Sequence, residues 1–221
     1  MSRFAWIFDL DGTLFRSHDQ IIEALNETRA SKNFSTLEPG TSFKLIGRPA
    51  IELLEDLDSN ETEKEEIIRD FRIRLEKKLH LGTPLYDGAV DALKKLKQSN
   101  QLIGIATMKP DLLANVMVQS SSFAELIDHV QGSTGLPPKP DPEVLIRSMK
   151  ALDASRAVLI GDRPEDVLCA KNAGILAIGI AQTSFTTHEL EATGADFVYA
   201  SLIDFALDLE ELKRKICPQA E

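Results

Sequence analysis

Two carboxylates two positions apart, Asp9 and Asp11, directly follow the short apolar run Phe4-Ala5-Trp6-Ile7-Phe8. A carboxylate so placed can attack phosphorus and split one difficult displacement into two easier ones through an aspartyl phosphate. A second carboxylate beside it can protonate the departing oxygen and then take a proton from the attacking water. Gly12 lets the backbone approach phosphoryl oxygens closely, and Thr13 is placed to steady the loop by a local hydrogen bond. Further along, Thr107 offers a hydroxyl, Lys139 a cation, and Asp162 and Asp166 two more carboxylates. The four aspartates together repel a phosphate dianion, so the set calls for a hard divalent cation. Oxygen-only ligands with room for water favour Mg²⁺, which screens the carboxylates and polarises the phosphoryl group. Phosphoryl transfer needs little beyond positioning and charge neutralisation, and this small kit supplies both.

Each residue also has a plainer reading. Asp9 and Asp11 are common turn residues, although an apolar strand that ends in a carboxylate before the turn proper is unusual. Thr107 is ordinary at a strand end and Lys139 ordinary on a surface. Asp162, Glu165 and Asp166 are acids of the kind favoured at the start of a helix near Pro164. The four histidines, His18, His80, His129 and His188, lack metal-ligand spacing and read as surface or structural residues.

The elements that must position these groups follow from hydrophobic periodicity. Residues 4–8 form a continuous apolar run, the pattern of a strand buried on both faces. Between residues 17 and 81 the apolar residues fall at helical spacing. The segment 61–80 carries Ile67, Ile68, Phe71, Leu75 and Leu79 on one stripe, with Ser59 or Asn60 as its N-cap. No strand is expected there, so 16–82 reads as an all-helical insert. After Pro84 the pattern alternates. Helices are expected at 87–98, 110–119, 141–151, 164–173, 186–192 and 202–215, and strands at 102–107, 126–130, 157–161, 176–180 and 197–199. Asp141 is the expected N-cap of its helix, with Pro142 at the first helical position. Such alternation predicts a Rossmann-like α/β core with a parallel sheet covered on both faces. Ligands of such sheets sit beyond the carboxyl ends of the strands, where Asp9, Asp11, Thr107, Lys139 and Asp162 all fall.

Bulk properties exclude several classes. The 221 residues carry 35 acidic and 25 basic side chains, a formal net charge of -10, and no basic cluster fit to neutralise a nucleic-acid backbone. No apolar run reaches the ~20 residues that span a bilayer. The two cysteines, Cys169 and Cys217, suggest free thiols in a reducing compartment. A cytoplasmic chain acting on a small phosphorylated molecule, as monomer or homodimer, is the expectation.

Taken together the motifs resemble the haloacid dehalogenase-like superfamily, in its phosphoglycolate phosphatase-like branch. The strings are Asp9-Leu10-Asp11-Gly12-Thr13-Leu14, Ile105-Ala106-Thr107, Lys139-Pro140-Asp141-Pro142-Glu143 and Gly161-Asp162-Arg163-Pro164-Glu165-Asp166. The resemblance implies a core of 1–15 and 83–221 with a helical cap at 16–82 that closes over the substrate. It implies Asp9 as nucleophile and metal ligand, Asp11 as acid/base with its carbonyl on the metal, and Asp162 as the remaining direct protein ligand, supported by Asp166. It implies Gly12, Thr107 and Lys139 as phosphate binders. Two positions depart from the pattern. Met108 stands where relatives carry Asn, leaving a backbone N–H to serve, and Arg16 stands where they often carry Asp. Arg16 and Arg48, the latter where relatives place a specificity loop, are candidates to hold a second anionic group. A sugar phosphomutase, a phosphonate-cleaving enzyme with Lys32 or Lys44 as Schiff base, and a catalytically silent binding module are the alternatives. A dehalogenase is disfavoured because Asp11 is present.

Overall fold

The structure, a computed structural model, describes residues 3–37 and 60–217. Six strands form one sheet: β1 (Phe4–Phe8), β2 (Leu102–Ala106), β3 (His129–Gln131), β4 (Arg156–Gly161), β5 (Leu176–Ile180) and β6 (Phe197–Tyr199). All pairings are parallel and the order is β3-β2-β1-β4-β5-β6. The helices are α1 (His18–Ser31), α2 (Glu61–Leu79), α3 (Ala89–Gln98), α4 (Asp111–Gln119), α5 (Glu143–Ala151), α6 (Pro164–Asn172), α7 (Thr187–Ala192) and α8 (Leu202–Ile216).

The period-2 geometry of a strand sends alternate side chains to opposite faces, and β1 shows the result. Trp6 and Phe8 join Ile103, Ile105, Val158 and Ile160 in a core closed by α3 and α8. Ala5 and Ile7 face the other way, into a second core with Leu159, Val144 and Leu145 of α5 and Val167 of α6. The sheet is thus covered on both faces, which is why its strands read as unbroken apolar runs.

Strand order reverses at β1. The chain runs outward through β2 and β3, then returns to build β4, β5 and β6 on the other side. The loops after β1, β2 and β4 therefore diverge around one crevice.

Two backbone bonds draw the ends of the helical insert together: Arg16 N donates to Pro84 O at 2.7 Å and Tyr86 N to Leu14 O at 3.0 Å. Among the described residues the insert holds α1 and α2 and no strand. Lys78 of α2 pairs with Glu23 at 3.0 Å and Glu27 at 2.9 Å on α1. Asn60 caps α2, its side chain accepting from Glu63 N at 3.0 Å while Glu63 accepts from Asn60 N.

Several expected boundaries shift by a residue or two, as at α3, which starts at Ala89 after Gly88 at φ +87°. α5 starts at Glu143 with Pro142 at its cap, because the Asp141 carboxylate accepts from Glu143 N at 2.9 Å in a local turn that competes with the helix. β3 spans His129–Gln131, preceded by a 3₁₀ turn at Ala124–Leu126 rather than by strand. There the Asp128 carboxylate takes Ile103 N at 2.8 Å and occupies the ladder position an earlier strand residue would fill. Both cysteines are free, Cys169 buried and Cys217 half-buried. No helix among the described residues is long and apolar enough to cross a membrane.

Candidate active site

Asp9 lies one residue beyond β1, its N–H fixed to Ile160 O of β4 at 2.9 Å. Thr107 lies one residue beyond β2, its N–H on Gln131 O at 3.0 Å. Asp162 follows β4, Asp166 sits in the first turn of α6, and Lys139 comes from the loop between β3 and α5. All are buried.

Lys139 joins them. Its Nζ donates to Asp9 Oδ1 at 2.9 Å, to Asp166 Oδ1 at 2.7 Å and to Ala106 O at 2.8 Å. An ammonium has three donors and all three are used. Burial opposes the Lys139 charge, but the Asp166 and Asp9 carboxylates outweigh it and hold its pKa above the ordinary lysine value. Asp166 also accepts Arg163 N at 3.2 Å through its other oxygen. It is therefore both the helix-start acid of the plain reading and a partner of Lys139.

One ammonium shared between two carboxylates leaves the cluster short of positive charge. Burial pushes Asp9 up to about 7; Lys139 opposes the rise, and Asp166 and Asp11 add to it. Burial, with Asp166 and Asp9 nearby, pushes Asp162 up to about 8, against the hydrogen bonds it accepts. Those bonds come from Thr13 Oγ1 to Oδ1 at 2.9 Å and from Thr183 Oγ1 to Oδ2 at 2.6 Å. Thr13 thus reaches across to Asp162, where a purely local bond was expected.

Oxygens of Asp9, Asp162 and Asp166 lie within 4.8 Å of one another. Three buried carboxylates are a hard-oxygen donor set suited to Mg²⁺. The backbone fits closely around them. Gly12 has φ +87°, and a Cβ there would run into the Asp162 carboxylate; a Cβ on Gly161 would run into that of Asp166.

Asp11 is held separately. Its Oδ2 pairs with Lys109 Nζ at 2.9 Å and its Oδ1 accepts from Ser17 Oγ. Lys109, almost fully buried, was missed from sequence, as were Ser17 and Thr183. The only signal for Lys109 was its place two residues beyond Thr107, whose Oγ1 accepts the Lys109 N–H at 3.2 Å. Met108 supports the same corner: its sulfur accepts the Lys139 N–H at 3.3 Å and its carbonyl accepts Ser133 Oγ at 2.6 Å.

Asp9, Asp11, Thr107, Met108 and Lys139 open on one cavity of about 210 Å³, to which α1, α2 and α4 also contribute. Arg16 does not join them. It lines a second cavity of about 500 Å³ with His18, Tyr86 and Asp87. Arg48 and Lys44 lie outside the described residues.

A family described as haloacid dehalogenase-like hydrolase matches residues 6–180. A phosphoglycolate phosphatase of Rhodospirillum rubrum is 29% identical over 217 residues, covering 91% of this chain and 90% of its own. Pyrophosphatase PpaX of Bacillus velezensis is 27% identical over 203 residues, covering 90% and 93%. Among solved structures, CbbY of Rhodobacter sphaeroides in complex with xylulose-(1,5)bisphosphate covers 93% of this chain and 96% of its own at 23% identity, with a TM-score of 0.78.

Proposed function

Because the chain belongs to the haloacid dehalogenase-like hydrolase family, and its relatives include phosphatases acting on small molecules, we propose that it is a phosphatase that hydrolyses a small phosphate monoester through Asp9. The observation that carries the mechanism is the convergence of the Asp9, Asp162 and Asp166 oxygens within 4.8 Å, with Lys139 bonded at one side.

In this reading Asp9 attacks phosphorus. The new bond forms between its carboxylate oxygen and phosphorus, the ester P–O bond breaks, and Asp11 gives the departing oxygen its proton. In the second half-reaction Asp11 takes a proton from water, whose oxygen displaces Asp9 and releases phosphate. Lys139 keeps Asp9 oriented and, with the Thr107 hydroxyl and the backbone near Gly12 and Met108, faces the phosphoryl oxygens. Asp9, Asp162 and the Asp11 carbonyl would hold Mg²⁺ with Asp166 in support, and the bound ion would supply charge neutralisation and polarisation of the phosphoryl group. Residues 16–82 act as a cap over a core of 1–15 and 83–221, hinged where Arg16 and Tyr86 tie the two crossings together.

Phosphate release from a panel of small esters tests this, with Mg²⁺ and with EDTA, for wild type and Asp9→Asn. Turnover that needs Mg²⁺ and is lost in Asp9→Asn is the expected result. An Asp9→Asn enzyme as fast as wild type would remove Asp9 from the chemistry.

A further inference from the structure

The cavity over Asp9 has two chemically different parts. Among the described residues, the polar side chains that line it belong to the reaction centre or are already engaged, Arg72 apart. Lys139 spends its three donors on Asp9, Asp166 and Ala106 O. Lys109 sits on Asp11, Ser133 donates to Met108 O, and Arg163 pairs with Glu165. The rest of the lining that the described residues supply is apolar apart from Arg72: Ile21 from α1, Phe71 and Leu75 from α2, Leu113 from α4, and Met108 and Leu136 from the loops. α1, α2 and α4 contribute one polar side chain to it among the described residues, Arg72, and that one is exposed. At the position where a side-chain amide would offer both a donor and an acceptor, the chain has the Met108 thioether, a weak acceptor only, and that acceptor is already used by the Lys139 N–H.

We infer that the alcohol this enzyme releases has an apolar body, aliphatic or aromatic, and is not a polyhydroxylated sugar. The inference rests on the phosphatase reading and specifies its substrate class. A sugar in this cavity would bury hydroxyls against Leu75, Phe71 and Leu113 with few partners, and each unsatisfied hydroxyl costs roughly fivefold to a hundredfold in affinity. An apolar body instead gains roughly fourfold for each methylene removed from water. The volume of about 210 Å³ lies below the ~300–1,000 Å³ of drug-sized sites, so the body is small.

The test compares kcat/KM for 2-phenylethyl phosphate and glucose 6-phosphate in Mg²⁺. Both are esters of primary alcohols of similar basicity, so intrinsic reactivity does not decide the ratio. The expected preference for the phenylethyl ester is about 100-fold or more. Met108→Asn and Leu75→Gln, each checked by thermal melting, are expected to narrow it about tenfold by adding polar partners to the wall. Leu75 is buried, so the half-buried Met108 carries the comparison if Leu75→Gln melts early. Methyl phosphate, whose body fills none of the wall, separates the two possible failures. If it turns over while glucose 6-phosphate equals or exceeds the phenylethyl ester, the apolar-body inference is overturned and the phosphatase reading stands. If no ester, methyl phosphate included, turns over, the phosphatase reading fails and the inference falls with it.

Discussion

Replacing Asp9, the nucleophile proposed above, should make the metal-free protein more stable. Asp9 is buried beside Asp166 and Asp11, and its carboxyl is pushed from 3.8 up to about 7. Each unit of such a shift corresponds to ~1.4 kcal/mol, so the ionised Asp9 costs the fold up to roughly 4 kcal/mol at pH 8. Asparagine has nearly the same shape and can still accept from Lys139 Nζ. Lys139 loses one of its two charged partners, which returns part of the gain, and a net stabilisation of about 2 kcal/mol is expected. For a chain of this size that is about 4–8 °C in melting temperature. The pH dependence follows from the direction of the shift. Between about pH 4 and 7 the folded chain holds the Asp9 proton that the unfolded chain has lost, so wild-type stability falls as pH rises through that window. Below 3.8 both states carry the proton, and the gap between wild type and Asp9→Asn closes. Thermal melts of both proteins in EDTA from pH 4 to 8 read this directly. Saturating Mg²⁺ should reverse the order, because an ion present at 100 times its Kd adds ~2.7 kcal/mol to whichever protein binds it. An Asp9→Asn protein that melts at or below wild type in EDTA at pH 8 would refute the electrostatic argument.

Two further outcomes follow from the same site. Lys139→Met leaves Asp9 and Asp166 without their shared ammonium and Ala106 O without its donor; a loss of about 3–5 kcal/mol in urea unfolding and no measurable turnover are expected. Gly12→Ala forces a Cβ onto a backbone at φ +87° and into the Asp162 carboxylate. It should destabilise by ~1–3 kcal/mol and weaken Mg²⁺ binding in a calorimetric titration, and unchanged binding would mean that the loop relaxes away from Asp162.

Much of this protein was legible in its residues because much of it is local. The unbroken apolar run 4–8 and the apolar segments after Pro84 could bury both faces only as central strands of a parallel sheet, and period 2 then sorted Trp6 from Ile7. The rule that ligands gather past the carboxyl ends of strands was enough to bring Lys139 to Asp9 across 130 positions. The cap of α2 was narrowed to Ser59 or Asn60, and Asn60 takes it. Where periodicity weakened, the reading slipped. β3 has three residues at a sheet edge, and at α5 the Asp141 side chain competes with the first helical bond. Tertiary structure alone decided which side chains share the buried charge. Lys109 and Lys139 both look like ordinary lysines, and only the folding of their loops over the carboxylates buries each against its own aspartate. Thr13 and Thr183, 170 positions apart, meet on Asp162 for the same reason. Arg16 was read toward the substrate, yet the turn out of Phe15 sends it to another cavity. Side-chain type and spacing state what chemistry is available. Burial fixes which charges must pair, and burial is a property of contacts between segments that the chain brings together only when it folds.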